Sequence, residues 1–221
     1  MLHELYEQLV SINLFELAGL VSGLLCVWLL IRQSIWTWPI GLIYSLISLV
    51  VFMQTKLYSE FGLHIYYAGM NAYGWYYWSR AGAKDGSGAL PVTRINRVTG
   101  YVLLVVVALG IPLLAELMLR FTDADMAYAD STITVLSFAA MWMTARKLIE
   151  NWYLWLLVDI IATMVYIIKG IELYAVLYCV YIGMAVIGLI AWRRALLSQD
   201  RLQQATASTS EFNSGDLRTP G

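Results

Sequence analysis

The sequence predicts an all-α integral membrane protein of seven transmembrane helices, arranged as two parallel three-helix repeats joined by a linker helix. Three observations carry that expectation: an apolar composition, seven segments long enough to span a bilayer, and a gapless overlay of residues 16–80 on residues 130–194 at a constant offset of 114. With 60% apolar and 13% charged residues and a mean hydropathy of +0.67, the chain has too little polar surface to clothe a soluble globule of its length.

The candidate spans run approximately Phe15–Ile31, Trp36–Met53, Phe61–Trp78, Gly100–Leu119, Ser131–Thr144, Trp152–Ile168 and Leu173–Trp192. A hydrocarbon core takes roughly 20 apolar residues as helix. Period-2 alternation is absent, and lipid leaves no unpaired backbone to solvate, so helices are the only option. Met1–Asn13 carries Glu4 and Glu7 and lacks the basic region of a cleavable signal, so residues 1–14 are expected to stay as an extracytoplasmic segment. The organisation that follows is a first repeat at 15–80, a cytoplasmic loop at 81–99, a linker helix at 100–120, a second repeat at 130–194 and a disordered cytoplasmic tail at 195–221. Gly82, Gly86, Gly88 and Pro91 mark the loop as a flexible connection, and the tail is polar and rich in Ser and Thr.

Duplication rests on more than leucine matching. Trp28, Arg32, Trp38, Tyr67, Gly69, Met70, Gly74, Trp78 and Arg80 recur as Trp142, Arg146, Trp152, Tyr181, Gly183, Met184, Gly188, Trp192 and Arg194. Three helices plus one linker restore the original direction, so the repeats are parallel. Apolar repeats around a midplane site are a recurrent transporter plan.

Basic residues divide 11 to 3 between the two sides: Arg32, Arg80, Lys84, Arg94, Arg97, Arg146, Lys147, Arg193, Arg194, Arg201 and Arg218 against Lys56, Arg120 and Lys169. The positive-inside rule then places the C-terminus in the cytoplasm and the N-terminus outside. Trp36, Trp38, Trp78, Trp152 and Trp192 fall at helix ends, where indoles favour the membrane interface. Cys26 and Cys179 lie within apolar segments with no metal-type spacing, which predicts core packing with neither metal nor cofactor. A net charge of −1 without a basic, aromatic-studded tract argues against nucleic acid.

Polar residues at membrane depth are the candidates for function. Asp159 is the clearest, on one helical face with Trp152 and Trp155, a stripe that Thr163 and Tyr166 extend. It reads as a cavity wall or as a fastener between helices. Asn71 in the third span carries the same two readings, beside Tyr67 and Gly74. Tyr174, Tyr178 and Tyr181 form a stripe on the last span, Gln54 closes the second, and Tyr44 adds a ring. The paired glycines Gly69/Gly74 and Gly183/Gly188 suit close helix packing.

The runs Leu57-Tyr58, Asn71-Ala72-Tyr73-Gly74-Trp75-Tyr76 and Trp78-Ser79-Arg80, then Arg146-Lys147-Leu148-Ile149-Glu150-Asn151-Trp152 with Trp155 and Asp159, resemble the PnuC family of bacterial nicotinamide riboside transporters across about residues 16–194. The resemblance implies a SWEET-like 3+1+3 fold in the bacterial inner membrane. It also implies facilitated diffusion of nicotinamide riboside by alternating access, trapping of the nucleoside by a cytoplasmic riboside kinase, and a homotrimer. The substrate-binding residues it implies are Trp155, Trp152, Asp159, Asn71, Gln54, Tyr178 and Tyr44, with Trp155 stacking on the pyridinium ring. Asparagine also occurs in the family at the position of Asp159.

The alternative within transport is proton symport of a small aromatic or nucleoside solute through Asp159. No G-x-x-x-x-G-K-[ST] loop is present for direct ATP drive. A retinal receptor would need a lysine within the last span, and Leu173–Trp192 has none; an enzyme would need a nucleophile or His cluster, and none appears.

Overall fold

The computed structural model describes residues 14–54, 58–84, 90–122 and 125–216. Seven helices form among them: α1 (Leu14–Ile31), α2 (Thr37–Gln54), α3 (Tyr58–Lys84), α4 (Arg97–Phe121), α5 (Ala127–Ala145), α6 (Asn151–Ile168) and α7 (Glu172–Asp216). No strand forms among the described residues beyond one isolated bridge, Thr93 with Leu148. Arg97–Phe121, Asn151–Ile168 and Glu172–Leu202 are long and apolar enough to cross a membrane, and Ala18–Ile31 and Thr37–Val50 are shorter apolar helices.

Adding 114 to the bounds of α2 reproduces those of α6, and α3 begins where the offset places the start of α7. The contacts repeat as well. α1 packs on α2 and α2 on α3, as α5 packs on α6 and α6 on α7; α1 meets α7 and α3 meets α5 across the repeats. The offset exchanges those last two contacts, so the repeats are related by a pseudo-two-fold arrangement. Among the described residues the linker α4 packs on α5 alone.

The correspondence reaches single hydrogen bonds. At the end of α5 the Lys147 amide donates to the Thr144 carbonyl (2.9 Å) and the Leu148 amide to Met143 (3.0 Å); at the end of α1 the Gln33 amide donates to Leu30 (2.9 Å) and the Ser34 amide to Leu29 (2.9 Å). Both corners are Schellman turns that require a left-handed residue just past the helix. Gln33 (φ 55°) and Lys147 (φ 57°) occupy those positions.

The core lies at this basic end of the bundle and is built from tryptophan. Trp38 and Trp78 meet edge to face at 5.3 Å, Trp152 and Trp192 do the same at 5.5 Å, and Trp78 and Trp192 lie 6.3 Å apart. The indole Nε1 of Trp78 donates to the Ala145 carbonyl (3.0 Å), and that of Trp192 donates to the Leu30 carbonyl (3.1 Å). The Ala145 carbonyl ends α5 and has no partner within its helix, whereas the Leu30 carbonyl, which already accepts from the Gln33 amide, takes the indole as a second donor. Each repeat thus donates to the other's helix end. The interfacial placement expected of Trp38, Trp78, Trp152 and Trp192 is corrected: Trp152 is 1% exposed and Trp192 0%, whereas Trp36, at 64%, stays on the surface. Glycine makes the difference. Trp38 lies on Gly74 and Trp152 on Gly188, so closely that a Cβ on either glycine would meet the ring.

Two connections also differ from expectation. Residues 81–99 are not a wholly flexible loop: α3 continues to Lys84, residues 85–89 lie outside the described set, and α4 starts at Arg97. Between them, Val92 is buried. The Thr93 amide donates to the Lys147 carbonyl (3.1 Å) and the Ile149 amide to the Thr93 carbonyl (2.9 Å). The Ile95 amide donates to Glu150 Oε2 (3.0 Å). The segment is pinned to the α5–α6 corner. The tail expected to be disordered from residue 195 continues α7 to Asp216. Leu196 is buried in the core, and the Ala, Leu, Gln and Arg that follow are strong helix formers. Residues 1–13, expected as an extracytoplasmic segment, and residues 217–221, expected as the end of the tail, lie outside the described residues.

Lys147 is buried at the pinned corner, its Nζ donating to the Leu90 carbonyl and lying 4.6 Å from the Trp78 ring centroid. Burial lowers its pKa from 10.5 to about 8. Between those values the unfolded chain binds more protons than the folded one, so this group's contribution to stability rises with pH through that window. Lys147→Met is expected to be more stable than the parent at pH 7, and the parent to recover on the order of 2 kcal/mol relative to it between pH 8 and 10.5. Chemical unfolding in detergent across that range checks this; a pH-independent difference contradicts it. Gly188→Ala is expected to cost about 1–3 kcal/mol by displacing Trp152, read in the same assay.

Candidate functional site

Asp159 lies seven residues beyond Trp152 on α6, about 10 Å deeper into the bilayer than the tryptophan core. It is buried at 6% exposure. A carboxyl group at membrane depth is costly unless it faces protein, water or a solute. Tyr178 and Tyr181 of α7 lie within electrostatic reach of it. Tyr178 stacks on Tyr166 at 5.3 Å and meets Tyr181 edge to face at 5.7 Å. From the first repeat, Tyr67 of α3 lies in the field of Tyr178, and Tyr44 of α2 in that of Tyr181. Both repeats therefore contribute to the aromatic surround of the acid.

Trp155 has its edge fixed. Its Nε1 donates to Thr144 Oγ1 (3.1 Å), and the Thr144 hydroxyl donates to the Ala140 carbonyl (2.8 Å). With the N–H satisfied inside the protein, the indole has its face left for stacking. Trp152, one turn earlier, belongs to the tryptophan core. Its Nε1, like that of its counterpart Trp38, is buried without a partner.

Asn71 is buried in the first repeat, where its Nδ2 donates to the Tyr67 carbonyl (2.8 Å) and to Ser45 Oγ (3.4 Å). Its Oδ1 lies over Gly41. In this conformation Asn71 joins α2 to α3. Gln54 closes α2, and its side chain lies outside the described set. Tyr174 stacks on Tyr166 at 5.3 Å and is half exposed.

Three residues at the site carry no weight in the sequence reading: Ser45, His64 and Thr144. His64 is buried between Tyr44 (5.9 Å) and Tyr67 (5.7 Å). The 114-residue offset is the signal that finds two of them, since Ser45 matches Asp159 and His64 matches Tyr178. It also exposes a division of labour. Gly41 matches Trp155 and Asn71 matches Ala185, so each repeat places a small residue where the other places a large one. The second repeat supplies the indole and the acid, and the first supplies the amide, the hydroxyl and the imidazole.

Two cavities lie elsewhere. One of about 390 Å³ is an apolar groove along Leu49, Val50, Met53 and Phe61; the other, of about 80 Å³, opens at the basic end beside Arg94 and Arg146. Neither is lined by the predicted site residues. Among the described residues no three His, Cys, Asp or Glu side chains gather into a metal-binding group.

Comparison with known proteins places the sequence and the fold among membrane vitamin transporters. A family model described as nicotinamide mononucleotide transporter matches residues 13–194. The nicotinamide riboside transporter PnuC of Escherichia coli K12 is 26% identical over 205 residues, covering 82% of this chain and 86% of that protein. The riboflavin/roseoflavin transporter RibM of Streptomyces davaonensis is 26% identical over 178 residues, covering 80% and 83%. The crystal structure of the vitamin B3 transporter PnuC superposes with a TM-score of 0.65 at 19% identity, covering 82% of this chain and 81% of that one, which shows a shared fold.

Thr144→Val keeps the shape of the side chain and removes the acceptor for Trp155. It is expected to destabilise the protein by about 1–3 kcal/mol through the unpaired indole N–H, with Thr144→Ser near the parent. Thermal unfolding of the two purified variants checks the difference; equal losses in both would mean the hydrogen bond is not what holds the ring.

Proposed function

Since this chain belongs to the nicotinamide mononucleotide transporter family and is a multi-pass membrane transporter, we propose that it carries nicotinamide riboside into the cell by facilitated diffusion. The observation that supports this reading is Asp159, a buried acid within electrostatic reach of Tyr178 and Tyr181 where the symmetry of the two repeats is broken. Nicotinamide riboside joins a flat cationic ring to a polar sugar. The pyridinium ring suits the face of Trp155 and the charge of Asp159. Asn71, Gln54, Tyr178 and Tyr44 offer hydrogen bonds to the ribose hydroxyls, and Trp152 forms the floor.

RibM raises a flavin as a second substrate, since riboflavin also joins a flat ring to a polyol. Asp159 favours the riboside, because the pyridinium ring is cationic and the flavin ring neutral. Transport proceeds by alternating access, the two repeats rocking about the site. The tryptophan core closes the end that the positive-inside rule places in the cytoplasm, with the N-terminus outside and the C-terminus inside. A cytoplasmic riboside kinase traps the arriving nucleoside as a phosphate, so the substrate gradient alone drives entry. The working unit is a homotrimer in the inner membrane. Proton symport through Asp159 is the competing mechanism.

Trp155→Ala and Asp159→Ala are each expected to weaken nicotinamide riboside binding at least about tenfold, the equivalent of ~1.4 kcal/mol, in a titration followed by tryptophan fluorescence. Unchanged affinity in both moves the site elsewhere. In proteoliposomes, riboside entry is expected to stop at equal concentrations on the two sides whether or not a pH gradient is imposed. Accumulation that needs the gradient replaces the facilitator with a symporter.

A further inference from the structure

The cavity at the basic end is a site for which riboside transport has no use. Its walls come from three parts of the chain: Arg94 in the pinned segment, Asn96 and Thr99 at the start of α4, and Trp142 and Arg146 at the end of α5. We propose that this cavity binds the phosphate of an anionic phospholipid in the membrane leaflet that faces the basic end.

Charge is the first reason. No carboxylate lines the cavity, and neither arginine forms an ion pair with the described residues. The Glu150 carboxylate is engaged by the Ile95 amide and is not part of the lining. Two arginines lining one pocket favour an anion there, and arginine meets phosphate oxygens with paired N–H donors. Arg146 is positioned at the cavity by its neighbours. Its Nη1 donates to the Tyr73 hydroxyl (3.3 Å), and its guanidinium lies 4.6 Å from the Tyr77 ring centroid. The Thr99 hydroxyl adds a neutral donor.

The surface leading from the cavity argues for a lipid over a free phosphate. Among the described residues α4 packs on α5 alone, and Val102, Val106 and Leu113, on the same helical face as the cavity's Thr99, lie exposed along it. That apolar strip gives acyl chains a bed starting at the headgroup pocket. Trp142 stands at the depth where indoles meet headgroups, and basic pockets between helices on the cytoplasmic side recur as sites for anionic headgroups. A lipid bound there ties the pinned segment to the α5–α6 corner, and so holds the connection from the first repeat against the second.

The test uses the full-length protein in neutral detergent, with native mass spectrometry counting bound lipid as phosphatidylglycerol or phosphatidylcholine is added. The expected result is preferential retention of phosphatidylglycerol, reduced roughly fivefold in Arg94→Gln and further in Arg94→Gln/Arg146→Gln. Arg94 makes no contact with the riboside site, so riboside binding should stay at the parent level in the single variant, which also shows that it is folded. Equal retention of the two lipids, or unchanged phosphatidylglycerol in the Arg94→Gln variant, overturns the proposal. A third arm adds inorganic phosphate: displacement of the lipid at equal concentration would assign the cavity to a soluble phosphate and overturn it as well.

Discussion

In a bilayer, helices gain little by hiding apolar surface from one another, because lipid tails are as apolar as leucine; close packing and satisfied hydrogen bonds must hold a bundle together. The reciprocal pair from Trp78 to the Ala145 carbonyl and from Trp192 to the Leu30 carbonyl meets that requirement here. Each bond crosses between repeats and ends on a last-turn carbonyl of the other. The indoles reach those carbonyls because Gly74 and Gly188 let Trp38 and Trp152 lie flat against α3 and α7. Such bonds contribute on the order of 1 kcal/mol each in membranes. Bonds of that size are weak enough to break in the alternating-access cycle proposed above.

A symmetric scaffold with an asymmetric centre follows from duplication. Backbone turns, tryptophan pairs and helix contacts recur at the 114-residue offset, whereas Gly41/Trp155, Ser45/Asp159, His64/Tyr178 and Asn71/Ala185 differ. A rocking mechanism needs the two halves to match mechanically, and an asymmetric solute needs them to differ chemically. Size is exchanged across the axis: Asn71 lies over Gly41 in one half, while in the other Trp155 stands opposite the small Ala185 by position.

The helices, the repeat and the stripe of Trp152, Trp155 and Asp159 were legible from sequence because they depend on hydrophobic periodicity and self-similarity, both local or repeated signals. The burial of Trp38, Trp78, Trp152 and Trp192 was not, because indoles at helix ends suit headgroups and packed cores equally. The informative detail was glycine four residues before each of Trp78 and Trp192, where a partner ring could settle. Ser45 and His64 were missed because neither stands out alone; each becomes visible only opposite its repeat counterpart. The pinning of Val92–Ile95 depends on residues more than 50 positions away, and the glycines before it signalled only flexibility. The helical continuation of α7 past residue 195 reflects backbone propensity that the polar composition concealed.

Alternating access requires that the two repeats separate at the tryptophan-closed end and converge at the other as substrate passes. Spin labels at positions 79 and 193, equivalent residues at the basic ends of α3 and α7, report this directly by pulsed electron spin resonance in a background with Cys26 and Cys179 replaced. A second, longer distance population is expected when nicotinamide riboside is present on the side of that end. One narrow distribution, identical with and without the riboside, would contradict it.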